Sequence, residues 1–281
     1  MSLRPLEPID TAPLFAPLGA ELLGLLRSLR AEQWVLPTLC PGWQVRDIAA
    51  HLLDSGLRRI AIDRDGQAPP PPAEPIHSYQ DLVTHLNRLN ADWVRAMRRI
   101  SPASLVSLMA VLEAELPPVF LALDPGARAR FSVAWAGEEE SQVWFDVARE
   151  LTERWHHQQQ IRLAVGAPPL TDPRWSRPVL ETFLRALPHR YREVAPPPHT
   201  AIALRVRGAE TYDFTLLREA EAWSLWRGVT PAPAAGLDLD EETAWRALTR
   251  GMPAEEARRR AAAAGDTDLV QPFFHTLAVM A

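Results

Sequence analysis

The sequence predicts a helical bundle of the up-and-down type followed by a small α+β domain. Up to residue 166, apolar residues recur every three or four positions, which is the spacing of one buried helix face. From Thr200 onward they alternate with polar residues, which is the period of a strand. We therefore divide the chain into a helical domain (1–166), a linker with one helix (167–199) and an α+β domain (200–281).

Composition places the 281-residue chain among ordinary globular proteins, with 47% hydrophobic and 23% charged residues and a formal net charge of −5. Scattered basic residues in an acidic chain argue against nucleic-acid binding, which requires a basic face. No segment reaches the roughly 20 apolar residues of a membrane span, and the N-terminus lacks the apolar core of a signal peptide. We expect a cytoplasmic monomer or weak homodimer that binds neither nucleic acid nor membranes.

Apolar spacing and breaker residues delimit the helices of the first domain. The predicted helices are about Leu14–Arg30, Trp43–Asp63, Leu82–Met97, Leu105–Leu123 and Ser141–Val165. Pro37 and Pro41 interrupt helical structure between the first two helices. The proline run within Asp65–His77 is extended and forms a loop. Short loops between amphipathic helices are typical of an up-and-down bundle.

The candidate chemistry lies in the last of these helices, within ELTERWHHQQQIRLAVG. Glu153 and His157 are four residues apart and therefore share one helix face. A carboxylate and an imidazole at this spacing can bind one divalent cation. The best third ligand is His51, in CPGWQVRDIAAHLLD on the second helix. Three such ligands leave positions open for water or substrate, as in catalytic zinc sites. Both histidines must be neutral to bind, so metal affinity is expected to fall below about pH 6.5.

Several residues compete with this set or have simpler interpretations. A lone histidine on a helix is more often structural, and a Glu–His pair at this spacing also arises by chance. His156 lies about 100° around the helix from His157 and lacks an acidic residue four positions earlier. Glu150 could line the same face as Glu153, although a surface carboxylate is the simpler reading. Cys40 precedes a helix start, where a thiolate is favoured, but a small buried hydrophobe is the simpler interpretation.

The second half of the chain shows strands first and helices after them. The segments AIALRVRG, TYDFTLLRE and AWSLWRG predict three short strands. The next segment predicts a strand that leads into a helix capped by Asp240 and ended near Gly251. Two further helices are predicted in PAEEARRRAAAAGD and LVQPFFHTLAVMA, and the linker helix spans Val179–Val194.

Two segments carry a resemblance to a known family. PTLCPGWQVRDIAAHLLD and ELTERWHHQQQIRLAVG resemble, in this order, the mycothiol-dependent maleylpyruvate isomerase family of the DinB/YfiT-like group. The tail LDLDEETAWRALTRG…LAVMA is similar to the small C-terminal domain of the same family, so the resemblance covers nearly the whole chain. It implies a DinB-like four-helix bundle, a sterol-carrier-like second domain and a divalent metal, usually zinc, at positions matching His51, Glu153 and His157. It also implies a low-molecular-weight thiol cofactor, with mycothiol, bacillithiol and glutathione left open.

The resemblance further implies an isomerase or S-transferase that acts on a small electrophile. The metal would bind the thiol sulfur and lower its pKa. A non-catalytic DinB-like metal-binding stress or interaction protein is the alternative. Gln160 stands where family members often carry aspartate, which leaves the substrate open and makes Gln160, with Glu150, a pocket candidate. Arginines of the second domain are candidates for binding substrate carboxylates, among them Arg205, Arg207 and Arg227.

Overall fold

The computed structural model describes residues 3–279. Its α-helices are α1 (Phe15–Ser28), α2 (Val45–Arg59), α3 (Tyr79–Met97), α4 (Pro102–Leu121), α5 (Val143–Val165), α6 (Pro173–Leu184), α7 (Leu187–Arg190), α8 (Glu241–Leu248) and α9 (Ala254–Arg260). Its strands are β1 (Arg4–Pro5), β2 (Ala201–Arg207), β3 (Thr211–Arg218), β4 (Trp223–Arg227), β5 (Ala235–Asp240) and β6 (Ala262–Gly265). The predicted order, a helical N-terminal part before a mixed sheet, is therefore correct.

The chain forms two compact units. The helical unit comprises Asp10–Ala127 and Glu153–Leu170. The sheet unit comprises the described residues up to Ile9, Arg128–Thr152 and the described residues from Thr171 onward. Helix α5 contributes residues to both units. The domain limits expected at residues 166 and 199 stay a prediction.

The helical unit is organised around fully buried side chains of α1, α2 and α4. On α1 they recur at helical spacing, as Phe15, Leu18, Leu22 and Leu26. The ring of Phe15 packs against that of Phe120 on α4, with 4.4 Å between centroids. Gly56 on α2 lies against Leu112 of α4, where a Cβ atom would collide with the leucine. Close packing of α2 on α4 therefore depends on a residue without a side chain.

Helix α2 has a capped start that fixes where its buried face begins. The backbone N–H of Gln44 donates to Asp47 Oδ2 at 3.0 Å, and Arg98 donates to the same oxygen at 2.7 Å. A carboxylate in the first turn also interacts favourably with the helix dipole. Beyond Arg59 the helix continues as one π-helical turn over Ile60–Arg64, close to the predicted end of this helix.

Helix α4 is more apolar than its neighbours. Within the described residues it is the segment long and apolar enough to cross a membrane by length and composition, with 44% of the tested window buried. No such segment is expected from the sequence. The core helix of a globular protein can have the same length and composition, and α4 packs against α1 and α2.

The sheet has the strand order β1-β4-β3-β2-β5-β6. Strand β2 pairs antiparallel with β3 and parallel with β5, so that Leu204 lies beside both Phe214 and Leu237. All three side chains are buried, as the alternation in the sequence indicates. Strand β1 pairs with β4, with Arg4 opposite Arg227, although the sequence analysis had not predicted a strand there.

Three predictions of helical structure are wrong in detail. The predicted linker helix is split into α6 and α7. The alanine run at 262–265, a strong helix former, is the edge strand β6, because the chain pairs there with β5 and Gly265 adopts φ +71°. The segment Thr267–His275 is a 3₁₀ helix rather than an α-helix, and Pro272 within it lacks a backbone N–H to donate. The predicted last helix also included Met280 and Ala281, which lie outside the described residues.

Candidate metal centre

The structure brings together the three residues singled out as metal ligands. His51 comes from α2, and Glu153 and His157 come from α5. Glu153 Oε1 lies 2.8 Å from His51 Nε2 and 3.1 Å from His157 Nε2. The three ligand atoms lie within 4.8 Å of one another. The two helices are thus neighbours at this point, as the interpretation of the sequence required.

Burial sets the character of this cluster. His51 and His157 are buried, with 5% and 6% of their surface exposed, because each belongs to the apolar face of its helix. His51 is flanked by Ile48 and Leu52, which are fully buried. Glu153 keeps 29% of its side chain exposed. Solvent therefore reaches the cluster from the side of the carboxylate.

The spacing of these atoms fits a divalent ion such as zinc. Zinc binds imidazole nitrogen and carboxylate oxygen at about 2.0–2.2 Å, which in a tetrahedral site separates neighbouring ligand atoms by roughly 3.3 Å. The two contacts made by Glu153 Oε1 are 2.8 and 3.1 Å. Around an ion these two separations would lengthen by a few tenths of an ångström, and all three ligand atoms already lie within 4.8 Å of one another.

The two histidines differ in their hydrogen bonds. His51 directs Nε2 towards Glu153, and its buried Nδ1 has no hydrogen-bond partner in the described part of the chain. Burial lowers the pKa of His51 below its usual value, against the opposing effect of Glu153. His51 is therefore neutral at physiological pH, which is the form that binds metal.

His157 has an acceptor at each ring nitrogen. Nε2 faces Glu153 Oε1, and Nδ1 lies 2.8 Å from Gln160 Oε1. Burial alone would lower the pKa of His157, but its interactions with Glu153 and with Cys40 together outweigh burial and raise that pKa to about 10. Burial would likewise raise the pKa of Glu153, yet the neighbouring histidines hold it well below its usual range. Without metal, the centre is an imidazolium–carboxylate pair beside a neutral imidazole.

The connector before α2 supplies two residues that the sequence analysis did not assign to the site. The ring of Trp43 lies 5.2 Å from the ring of His51 and 6.4 Å from that of His157, measured between centroids. The thiol of Cys40 donates to Gln160 Oε1 at 3.1 Å. Cys40 is partly exposed, so its interpretation as a buried hydrophobe is corrected. The position of Cys40 and Trp43 just before the helix of His51 is a signal that could have pointed to them.

The other candidates take different places. Gln160 lies in the cluster, bonded to His157. His156 contacts the second oxygen of Glu153 at 4.0 Å, and its ring centroid is 4.1 Å from that of His157. Glu150 belongs to the sheet unit and accepts a hydrogen bond from Arg149 at 2.9 Å.

The arginines considered for substrate binding are each paired with a carboxylate of the sheet unit. Arg205 bonds Asp213 at 2.8 Å, and Arg207 bonds Asp238 at 2.6 Å. Arg227 makes two bonds to Glu181, at 2.7 and 2.8 Å. A substrate carboxylate would compete with these partners, and a role for these arginines stays a prediction.

Comparison with known proteins identifies what the helical part resembles. A family model described as the mycothiol maleylpyruvate isomerase N-terminal domain matches residues 15–162, a span that contains all three ligand candidates. Two curated relatives are the uncharacterized proteins MT0041 and Rv0036c of Mycobacterium tuberculosis, strains CDC 1551 / Oshkosh and ATCC 25618 / H37Rv. Each is 30% identical over 165 residues, covering 56% of this chain and 58% of the relative. The chain thus matches less than two thirds of the length of these relatives.

Solved structures with a similar fold extend over more of the chain. A crystal structure of the mycothiol-dependent maleylpyruvate isomerase superposes with a TM-score of 0.52 at 11% identity, covering 85% of this chain and 88% of that one. A histidine-to-alanine variant of that enzyme gives a TM-score of 0.54 at 11% identity, covering 92% and 93%. At this identity the likeness establishes the fold alone.

Proposed function

Because the chain belongs to the mycothiol maleylpyruvate isomerase family, we propose that it is a thiol-dependent isomerase or S-transferase acting on a small electrophile. We further propose that it uses a divalent metal, zinc being the first choice, held by His51, Glu153 and His157. The observation that carries this proposal is the convergence of two Nε2 atoms and one carboxylate oxygen at ligand spacing in a largely buried cluster.

The bound ion would supply one function: it would coordinate the sulfur of a low-molecular-weight thiol, mycothiol or bacillithiol, and keep it deprotonated near neutral pH. The side chains provide the conditions for this. Buried His51 is neutral, and His157 becomes neutral by releasing a proton; in both rings Nε2, which faces Glu153, would give up its proton to bind the ion. Glu153 provides the negative charge, and the indole of Trp43 shields both imidazoles from water. In an isomerase of this class the thiolate adds to a cis double bond and leaves after rotation.

Hydrolysis is a poorer match to these side chains. A metal-bound water needs a base to take its proton. The residue after each histidine offers no base. Leu52, which follows His51, is apolar, and Gln158, which follows His157, has a neutral amide that donates to the carbonyl of Leu18 at 3.2 Å. A thiol needs no such base, because coordination alone favours the thiolate.

The finer assignments belong to the same proposal. They are the DinB-like four-helix bundle, the sterol-carrier-like second domain, the limits at residues 166 and 199, the cytoplasmic location and the monomeric or weakly dimeric state. Each follows from the resemblance, from the composition or from the change in hydrophobic period along the chain. The alternative of a non-catalytic metal-binding protein shares the metal site and differs only in the absence of a thiol reaction.

Metal analysis of the purified protein, after zinc has been offered back, is the first test. Wild type and His156→Ala are expected to bind one ion per chain, whereas His51→Ala and Glu153→Ala should lose it. His156→Ala is the matched control, since it removes the histidine adjacent to His157. Unchanged stoichiometry in both ligand variants would refute the site.

A titration of the cobalt form with mycothiol, bacillithiol and glutathione then tests the thiol. A sulfur-to-metal charge-transfer band should appear with the correct thiol. A protein that binds the metal but no thiol, and that isomerises or conjugates no electrophile, would favour the non-catalytic alternative. Ester or amide cleavage without thiol binding would refute the thiolate mechanism.

A further inference from the structure

One carbonyl oxygen in the centre accepts two hydrogen bonds. Gln160 Oε1 accepts from His157 Nδ1 at 2.8 Å and from Cys40 Sγ at 3.1 Å. An amide carbonyl has two lone pairs, so these two donors satisfy it. Gln160 is buried, with 3% of its surface exposed, and water therefore does not compete for this oxygen. The three side chains form a short chain, Cys40–Gln160–His157, that ends at a ligand candidate.

This arrangement determines which nitrogen of His157 can bind a metal. Because the amide oxygen has no proton to give, the hydrogen bond requires the proton on Nδ1. Once Nε2 releases its own proton, its lone pair is directed into the site. Metal-binding histidines commonly have this pattern, in which the second nitrogen donates to an oxygen that fixes the ring and its tautomer. In the described part of the chain, His51 has no such partner at Nδ1, and its ring is held by packing and by the contact of Nε2 with Glu153.

Cys40 selects the orientation of the amide. If the amide of Gln160 were turned over, its NH₂ group would face the thiol and Nδ1. The imidazole would then have to accept at Nδ1 and carry its proton on Nε2, the wrong tautomer for the site. The S–H of Cys40 favours the opposite orientation, with the oxygen inward.

Cys40 is itself held in place by its turn. Its backbone N–H donates to Thr38 Oγ1 at 3.2 Å, and its carbonyl accepts from Trp43 N at 3.0 Å. Gly42 completes the turn with φ +76°, a conformation that favours glycine. The connector that brings Trp43 to the imidazoles therefore also fixes the thiol against Gln160.

We propose that Gln160 is the positioning residue of the metal centre: it fixes the tautomer and the ring orientation of His157, and Cys40 fixes Gln160. The inference rests on the proposed function, because it concerns the residues that would hold the ion. It assigns Cys40 a supporting role through its thiol proton, without reaction at sulfur.

The test compares zinc affinities, measured by chelator competition at one fixed pH, so that its readout is independent of turnover. Gln160→Leu removes the acceptor and is expected to weaken zinc binding about 10- to 100-fold, the usual loss when such a partner is removed. Gln160→Glu restores an acceptor and should bind within a few fold of wild type. Cys40→Ser keeps a donor and should do the same, whereas Cys40→Ala should fall between wild type and Gln160→Leu.

The matched control is Gln159→Leu. It makes the same substitution one residue earlier, where the amide bonds the backbone of Leu170 at 2.9 and 3.3 Å. Its stability can fall, but its zinc affinity should equal that of wild type. Circular dichroism of the metal-free proteins establishes that each variant folds, and Gln160→Ala replaces Gln160→Leu if the latter does not.

Nitrogen NMR of the zinc-loaded protein supplies a second readout. The Nδ1 proton of His157 should exchange slowly in wild type and in Gln160→Glu, and faster in Gln160→Leu. Equal zinc affinity and equal exchange in wild type and Gln160→Leu would overturn the positioning role and leave the metal site intact. A wild-type protein that binds no zinc would instead refute the proposed function, and the inference with it.

Discussion

Glu241 is a buried acid that should make the protein less stable as the pH rises. It is the first residue of α8, is 5% exposed, and lies against Gly208, where a Cβ atom would fall on its carboxylate. In the described part of the chain neither oxygen has a hydrogen bond of ordinary length. Burial raises the pKa of Glu241 to about 7, and the hydroxyl of Ser176 offsets only part of that effect.

The sign and size of the effect follow from proton linkage. The folded-state pKa lies above the ordinary value of 4.5, so the unfolded chain ionises first as the pH rises. The penalty is absent below pH 4.5, grows between the two pKa values and is complete above pH 7. Between pH 5 and pH 8 the raised pKa of Glu241 lowers the free energy of unfolding by about 2.5 kcal/mol. Residual solvent screening reduces this loss to about 2 kcal/mol.

Glu241→Gln removes the titration while keeping the shape of the side chain. We would measure the free energy of unfolding in urea by fluorescence at pH 5 and at pH 8. Its decrease from pH 5 to pH 8 should be about 2 kcal/mol smaller in Glu241→Gln than in wild type. Comparing the two pH values cancels the pH-independent cost of burying an amide. The matched control is Glu242→Gln, since Glu242 is largely exposed and pairs with Arg246 at 2.7 Å. Parallel pH profiles of wild type and Glu241→Gln would refute the assignment of a raised pKa.

Two further predictions concern the helical unit. Despite burial, Glu153 and Cys40 raise the pKa of His157 to about 10. A zinc ion would therefore displace one proton, and zinc affinity should rise about tenfold per pH unit between pH 7 and pH 9. A pH-independent affinity, measured by chelator competition, would contradict this. Gly19→Ala should lower the free energy of unfolding in urea by about 2 kcal/mol. The new Cβ atom would displace Glu113 from its buried ion pair with Arg154. Losing this pair outweighs the gain of about 1 kcal/mol in helix propensity. Gly24→Ala, with no atom near the new Cβ, should instead be neutral or stabilising.

The ligand candidates could be predicted because their geometry is local. Glu153 and His157 share a face through helical spacing alone, and the apolar neighbours of His51 place it on the buried face of α2. The pH window could not be predicted, because it depends on the distance between His157 and Glu153. The expected loss of metal affinity near pH 6.5 applies to a histidine with an ordinary pKa. In the structure the pKa of His157 is higher, so the pH below which metal affinity falls is higher as well.

The residues that surround the ligand candidates could not be predicted, for a different reason. Cys40 and Trp43 reach it through an irregular connector, whose path is set by the turn at Gly42 and by bonds that no periodicity encodes. The alanine run of β6 failed in the same way: its helix propensity is high, but pairing with β5 outweighs it. Local patterns predicted which helices carry the ligand candidates, and tertiary contacts determine what surrounds them.

Gln160 stands where family members often carry an aspartate. The neutral amide in place of a carboxylate has an electrostatic consequence for the proposed chemistry. Zinc with one carboxylate and two neutral imidazoles carries a net charge of +1, and a bound thiolate brings this to zero. An aspartate at position 160 would add a negative charge and leave the thiolate complex at −1 in a largely buried site. A buried net charge is costly, and opposite charges attract more strongly where water is excluded. The neutral amide keeps the hydrogen bond that orients His157 and spares the thiolate this repulsion, which favours an anionic sulfur as the incoming ligand.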